Sequence, residues 1–405
     1  MILEIHNKHI SYWESMKRKL SILATLAILL VICSFSFIKV TNSTSINANS
    51  PDYWPTTGWL TSTPEEEDMN PAYLESMLQY IIDEEYNVDS ILLIRNGYNV
   101  FERYFNGWNN TIYHSVYSIT KSVMSCLYGV AIEEGLVQLN QTMISFFPDK
   151  TIANLDSAKE NITIENLLTM SSGIKWLEPL NMIQFAGDSD PLQYVLDREM
   201  DAFPGEEFNY NSGAVHILSA ILQNVTGTTT QAYADEKLFT PLGISHYHWH
   251  SDPQGIYFGG HGLSLTTPDL AKFGFLYLNN GTWDSEQIIT KEWVMNSITN
   301  YNYSVSSEKY GYLWWLYPEE DNFCAQGFMG QRIFVFQKYN FITIITSPEY
   351  STVYLVPILV SDFLLPSLNE YPYTPPITEN LSLLTGIIPL AMIKLIITKR
   401  RKRSI

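Results

Sequence analysis

The stretch Tyr117-Ser118-Ile119-Thr120-Lys121-Ser122-Val123 decides how the rest of the chain is read. A short run, His114-Ser115-Val116-Tyr117, leads into it. Behind it, Val123, Leu127, Val130 and Ala131 recur at helical spacing, which predicts a helix over 119–134 with one apolar face. Ser118 stands where that helix begins. Lys121 follows three residues on, so its amine shares a helix face with the Ser118 hydroxyl. A nucleophile and its base require that proximity. The plain alternative is that Ser118 only caps the helix. A capping box would put Glu or Gln at the third helical position, where the dipole disfavours a cation. Lysine stands there instead, and the same field lowers its pKa, as a catalytic amine requires.

Ser-x-x-Lys occurs four times, starting at Ser36, Ser118, Ser172 and Ser306. Ser36 falls in an apolar, membrane-like segment, Ser172 precedes Gly173 in a loop, and Ser306 lies in a polar loop. Only Ser118 opens an amphipathic helix after a strand-like run.

Further out, the two ends differ from the middle. Lys17-Arg18-Lys19 precedes an uncharged apolar run over 20–38, close to the ~20 residues that span a bilayer. A cleaved signal peptide is the rival reading. The run over 381–397 is apolar apart from Lys394 and is followed by Lys399-Arg400-Arg401-Lys402-Arg403. Here the rival is a tail packed on the domain or lying in the membrane interface. Basic clusters beyond both runs put both ends in the cytoplasm and the middle outside. Of 24 Lys+Arg, 11 lie in 1–39 or 394–405, against two of 42 Asp+Glu, so the middle carries a formal −27. Such a surface repels nucleic acid and anionic lipid. Asn-x-Ser/Thr at Asn109, Asn140, Asn161 and elsewhere permits glycosylation outside the cell. Cys126 and Cys324 read as small buried hydrophobes, with a disulfide between them as the alternative.

The expected organisation is a cytoplasmic stub and anchor over 1–40, a linker over 41–63 and a globular domain over 64–370. A second linker over 371–380 and a membrane segment with basic tail over 381–405 follow. Within the domain, 71–85 reads as an amphipathic helix. Strand-like runs over 90–95 and 98–104 meet at Asn96-Gly97, a strong hairpin signal. Residues 138–241 read as helical with loops, including a capped start at Thr163 and a helix over 212–225. Two strands over 332–337 and 341–346 turn at Tyr339-Asn340, and 356–365 is a closing helix. Strands at both ends with helices between imply an α/β chain of the α+β type. Its antiparallel sheet is flanked by helices and carries an inserted, mostly helical region, with a terminal transmembrane helix at each end.

Together these motifs resemble the serine β-lactamase/penicillin-binding protein superfamily, nearest to class C β-lactamases, esterases and 6-aminohexanoate-dimer hydrolase. The likeness covers about residues 53–368. Tyr117-Ser118-Ile119-Thr120-Lys121-Ser122 is similar to the first motif, and ITIENLLTMSSG over 162–173 to the stretch that follows. Phe208-Asn209-Tyr210-Asn211-Ser212-Gly213 is similar to the second motif and Gly327-Phe328-Met329-Gly330-Gln331 to the third. His261-Gly262-Leu263 and Tyr310-Gly311-Tyr312 match later landmarks. The resemblance implies Ser118 as nucleophile, Lys121 as its base, and Tyr210 as general base and then acid to the leaving group. A phenol ionises near ~10, so Tyr210 needs an adjacent cation, which Lys121 is expected to supply. The backbone N–H groups of Ser118 and Gln331 would form the oxyanion hole, and Ser212, Phe328, Met329 and Gly330 would contact substrate.

Two positions depart from the family. Ser212 stands where the second motif usually has Asn, and Phe328 where the third begins with Lys or His. The second departure argues against β-lactams and for ester or small amide substrates. The expectation is a membrane-anchored, extracytoplasmic serine hydrolase that forms an acyl-enzyme, with no cofactor and no metal. A fold-retaining but silent binding protein, or a true β-lactamase or D-amino-acid peptidase, is the alternative. His246, His248 and His250 alternate and could face one way on a strand. Same-face neighbours ~6.6 Å apart suit one ion poorly, so a half-exposed strand is preferred over zinc.

Overall fold

The computed structural model describes residues 51–301 and 309–372, which belong to a compact unit beginning at Ser50. β1 (Ser90–Arg95) and β2 (Tyr98–Tyr104) form the hairpin expected at Asn96-Gly97. Asn96 (φ 53) and Gly97 (φ 91) both adopt the left-handed geometry such a tight turn requires. The other strands are β3 (His114–Ser115), β4 (His248–Trp249), β5 (Leu263–Leu265), β6 (Thr282–Trp283), β7 (Glu286–Gln287) and β8 (Lys309–Tyr310), then β9 (Trp315–Tyr317), β10 (Asn322–Gly327), β11 (Gln331–Phe336) and β12 (Phe341–Thr346).

Seven strands make one antiparallel sheet in the order β2-β1-β12-β11-β10-β9-β8. Ser90 pairs with Thr346, so the first and last strands of the domain lie side by side. This is the sheet built from both ends that the strand distribution implied. Every residue of β1, β11 and β12 is buried, because both faces of the sheet are covered. Side chains alternate between two cores, as a strand's period of two dictates. Leu92, Ile94, Ile333 and Val335 join one, whereas Ile91, Leu93, Phe334 and Phe336 join the other.

The second core is closed by α1 (Pro71–Asp83) and by a C-terminal helix. The first holds α2 (Ile119–Glu133), α3 (Ile164–Leu168), α4 (Leu180–Ala186), α5 (Ser212–Thr226) and α6 (Thr267–Leu278). A three-stranded sheet, β3-β5-β4, lies within this region. The C-terminal helix, α7 (Thr352–Ile358), runs on in helical turns to Ser367. It begins before the expected 356, since Thr352 and Leu355 are also buried.

Two expectations change. α2 was expected to bury one face, yet every residue from Ile119 to Ala131 is buried. Its polar positions are small or internally bonded, as where Ser122 Oγ donates to the Leu313 carbonyl at 2.7 Å. The histidines do not share a strand, because only His248 and Trp249 are in β4. Cys126 and Cys324 are free and buried. The apolar runs over 20–38 and 381–397 lie outside the described residues. Among the described residues no helix is long and apolar enough to cross a membrane.

Candidate functional site

Ser118 immediately precedes α2, and its side chain makes no capping bond to the helix. The capping alternative therefore fails. Just before it, Tyr117 adopts φ 47, a left-handed conformation that is rare for a bulky residue. Such backbone costs of order 1–3 kcal/mol and persists only where packing enforces it. Here the Tyr117 hydroxyl donates to Met329 Sδ at 3.6 Å, and its ring meets Phe328 edge-on at 5.7 Å. Gly327 completes the junction, because a Cβ there would stand 2.3 Å from the Val116 carbonyl oxygen. The end of β10 thus abuts the turn that carries Ser118.

Lys121, only 1% exposed, sits one helical turn along. Its Nζ donates to Ser118 Oγ at 3.0 Å, Ser212 Oγ at 2.9 Å and the Gly260 carbonyl at 2.7 Å. Those three acceptors account for all three hydrogens of an ammonium. Burial pulls the Lys121 pKa down to about 8, against the opposing pull of the Glu178 carboxylate. Glu178 Oε1 accepts from Ser212 Oγ at 2.8 Å, and Oε2 accepts from Trp176 Nε1. Ser212 thus bridges the amine and its counter-charge.

Tyr210 lines the same cavity as Ser118 and stacks on Trp315 at 5.6 Å. Burial raises its pKa well above 10, so the phenol rests protonated. Lys121 Nζ lies 4.8 Å from the centre of the Tyr210 ring, over its face. Among the charges acting on the phenol, Glu178 raises its pKa and Arg332 lowers it.

Ser118, Tyr210, Ser212, Phe328 and Met329 all line one cavity of about 580 Å³. Phe328 is 51% exposed at its wall. Gly330 and Gln331 are buried outside that lining, and the Gln331 amide donates to the Ser347 carbonyl. Glu178, His261 and Arg332 also line the cavity and were not singled out as site residues from the sequence. No local pattern marks Glu178 or Arg332, which reach the site from a loop and a strand, whereas His261 opens the His261-Gly262-Leu263 landmark without having been given a role. Burial and the nearby Lys121 hold the His261 pKa down to about 3, so the ring is neutral. Of the alternating histidines, His250 lines the cavity and its Nδ1 is 3.3 Å from His248 Nε2. Among the described residues no group of three or more His, Cys, Asp or Glu is placed to hold a metal.

A family model described as "Beta-lactamase" matches residues 83–352. The chain belongs to the β-lactamase family. It is similar to a 6-aminohexanoate-dimer hydrolase from Paenarthrobacter ureafaciens, with 24% identity over 52% of this chain and 57% of that protein. It therefore spans just over half the length of that relative. The fold is shared with EstCE1, described as a hydrolase with promiscuous acyltransferase activity, at a TM-score of 0.61, 16% identity and coverage of 71% and 96%. It is shared also with an octameric penicillin-binding protein homologue from Pyrococcus abyssi, at a TM-score of 0.57, 21% identity and coverage of 74% and 78%. Proteins of this fold thus include a hydrolase with promiscuous acyltransferase activity and a penicillin-binding protein homologue.

Proposed function

We propose that this protein is a serine hydrolase that cleaves ester or small amide bonds through an acyl-enzyme. The observation that carries the reading is the buried Lys121 Nζ, 3.0 Å from Ser118 Oγ and with its pKa lowered to about 8. Once Lys121 has lost a proton to solvent, its amine takes the Ser118 hydroxyl proton as Oγ bonds to the substrate carbonyl carbon. The carbonyl electron pair moves to oxygen, which the Ser118 and Gln331 backbone N–H groups stabilise. Tyr210 gives its hydroxyl proton to the departing oxygen or nitrogen, and the proton that Lys121 took from Ser118 returns to the phenolate through solvent water. Water then attacks the acyl-Ser118 carbonyl carbon and gives one proton to the Lys121 amine, which passes it to Ser118 Oγ as the acyl C–O bond breaks and the acid is released. An aromatic ring at position 328, in place of a cation, supports esters and small amides over β-lactams.

The full chain should hydrolyse 4-nitrophenyl butyrate, and Ser118→Ala should lose nearly all of that rate. Full activity in the variant would end the assignment. We further assign the domain to the outside of the cell, on the basic clusters beyond each apolar run. Protease added to intact cells should then degrade the domain and spare a C-terminal tag. Loss of the tag would remove the second span.

A further inference from the structure

The cavity that holds Ser118 opens between two apolar lips. On one side Phe328 and Tyr350, 51% and 52% exposed, line it together with Val353. Tyr354 follows on α7 and is 69% exposed. These rings run outward from the turn that carries the nucleophile. The Phe328 ring centre lies 5.7 Å from that of Tyr117 and 5.6 Å from that of Tyr350, and Tyr350 lies 6.2 Å from Tyr354. On the other side Pro179 and Met182 line the cavity, and the exposed Leu177, Leu180 and Ile183 flank them in sequence.

A lone exposed aromatic is ordinary on a protein surface, but a contiguous apolar run that continues a cavity marks a place where something apolar lies. Each ring holds the next at the spacing of a favourable aromatic pair, so the run is formed before anything binds and little freedom is lost on binding. Its chemistry excludes a polar ligand. Phe328, Met329 and Val353 carry no hydrogen-bonding group suited to a sugar, and the Tyr117 hydroxyl is engaged on Met329 Sδ. Charge points the same way. In a chain of formal charge −18 the cavity lining holds one carboxylate, Glu178, and it comes from the opposite lip. Glu349, next to Tyr350, is occupied by the Ser351 hydroxyl.

We propose that the rings of Tyr117, Phe328, Tyr350 and Tyr354 form a binding strip for a hydrocarbon chain, so that the site takes esters or amides that carry a long alkyl group. This rests on Ser118 being the nucleophile and narrows that reading to amphiphilic, lipid-like substrates.

The test uses two ester series on the full chain, at matched free ester concentrations. 4-Nitrophenyl butyrate and decanoate put the chain on the acyl side of the scissile bond, and butyl and decyl acetate put it on the alcohol side. In at least one series kcat/KM should rise roughly 10- to 100-fold from four carbons to ten, as expected when part of each added methylene leaves water. In Tyr350→Ser/Tyr354→Ser, at two exposed positions, that long-to-short ratio should fall towards one. Tyr354→Phe should keep the wild-type ratio. No rise in either series overturns the proposal, and so does a ratio that the double change leaves intact. Binding to Ser118→Ala, followed by calorimetry, needs no turnover and separates the two readings. 1-Decanol should bind Ser118→Ala at least tenfold more tightly than 1-butanol, and adding the two serine changes should remove that difference. If it does so while no ester is hydrolysed, the hydrolase reading fails and the strip stands. No binding of 1-decanol to Ser118→Ala overturns the strip.

Discussion

Two lysines in this molecule are buried to the same degree and do opposite things. Lys121 is 1% exposed and Lys159 is 0% exposed. Each donates three hydrogen bonds, and desolvation lowers the pKa of each. Lys159 Nζ bonds the carbonyls of Ala153 at 2.8 Å, Leu196 at 3.0 Å and Arg198 at 2.6 Å. All three acceptors are main chain, so this lysine pins two loops and has nothing to deprotonate. Lys121 spends two of its three bonds on hydroxyls, and one of those belongs to Ser118 at the cavity wall. Burial alone therefore does not make a base. What matters is whether an acceptor carries a proton that the lysine can remove.

The contrast is sharpest under alanine substitution. Lys121→Ala should lower ester kcat/KM by on the order of 10²-fold or more, the range for positioned proton-transfer groups. Lys159→Ala should instead leave turnover per folded molecule intact and cost roughly 1–3 kcal/mol, since three carbonyls, one of them on buried Leu196, lose their donor. Urea melts and active-site titration of the two variants separate these effects. A Lys159 variant that folds normally but does not turn over would break the comparison.

Next in size is the pH profile. The working form of Lys121 is the neutral amine, which becomes scarce below a pKa of about 8. The kcat/KM should accordingly fall roughly tenfold per pH unit on the acid side of that value. A flat profile from pH 6 to 9 would show that Lys121 is not the base.

Glu178→Gln refines the same point with a smaller effect. The carboxylate is the influence that raises the Lys121 pKa, and glutamine can still accept from Ser212. The acid limb of the profile should move to lower pH in this variant. Movement to higher pH would mean that Glu178 acts on something other than the amine. The smallest expected change is in β-lactam turnover. The wild type should hydrolyse a cephalosporin far more slowly than a short ester, and Phe328→Lys should raise that rate modestly. Efficient wild-type turnover would show that position 328 does not govern this choice.

Much of this was legible without coordinates, and the parts that were share a cause. The β1–β2 hairpin follows from Asn96-Gly97, because few other pairs adopt left-handed geometry cheaply. The 3.0 Å contact between Lys121 and Ser118 follows from a three-residue offset on one helix. The helix of residues 212–226 and the last two strands follow from hydrophobic period. All of these are encoded within a few residues, so sequence alone determined them, together with the acidic middle and the motif order that marks the family. The tertiary structure decided what lies far apart along the chain. Ser212 and Gly260 reach Lys121 from 91 and 139 residues away, and Glu178 and Arg332 come from a loop and from β11. No periodicity links such residues; they meet only because the sheet pairs its first strand with its last and the helical insert folds back over it. The pKa of Lys121 and the protonated state of Tyr210 both depend on that closure. Each is set by solvent exclusion and by charges that only the folded chain brings together.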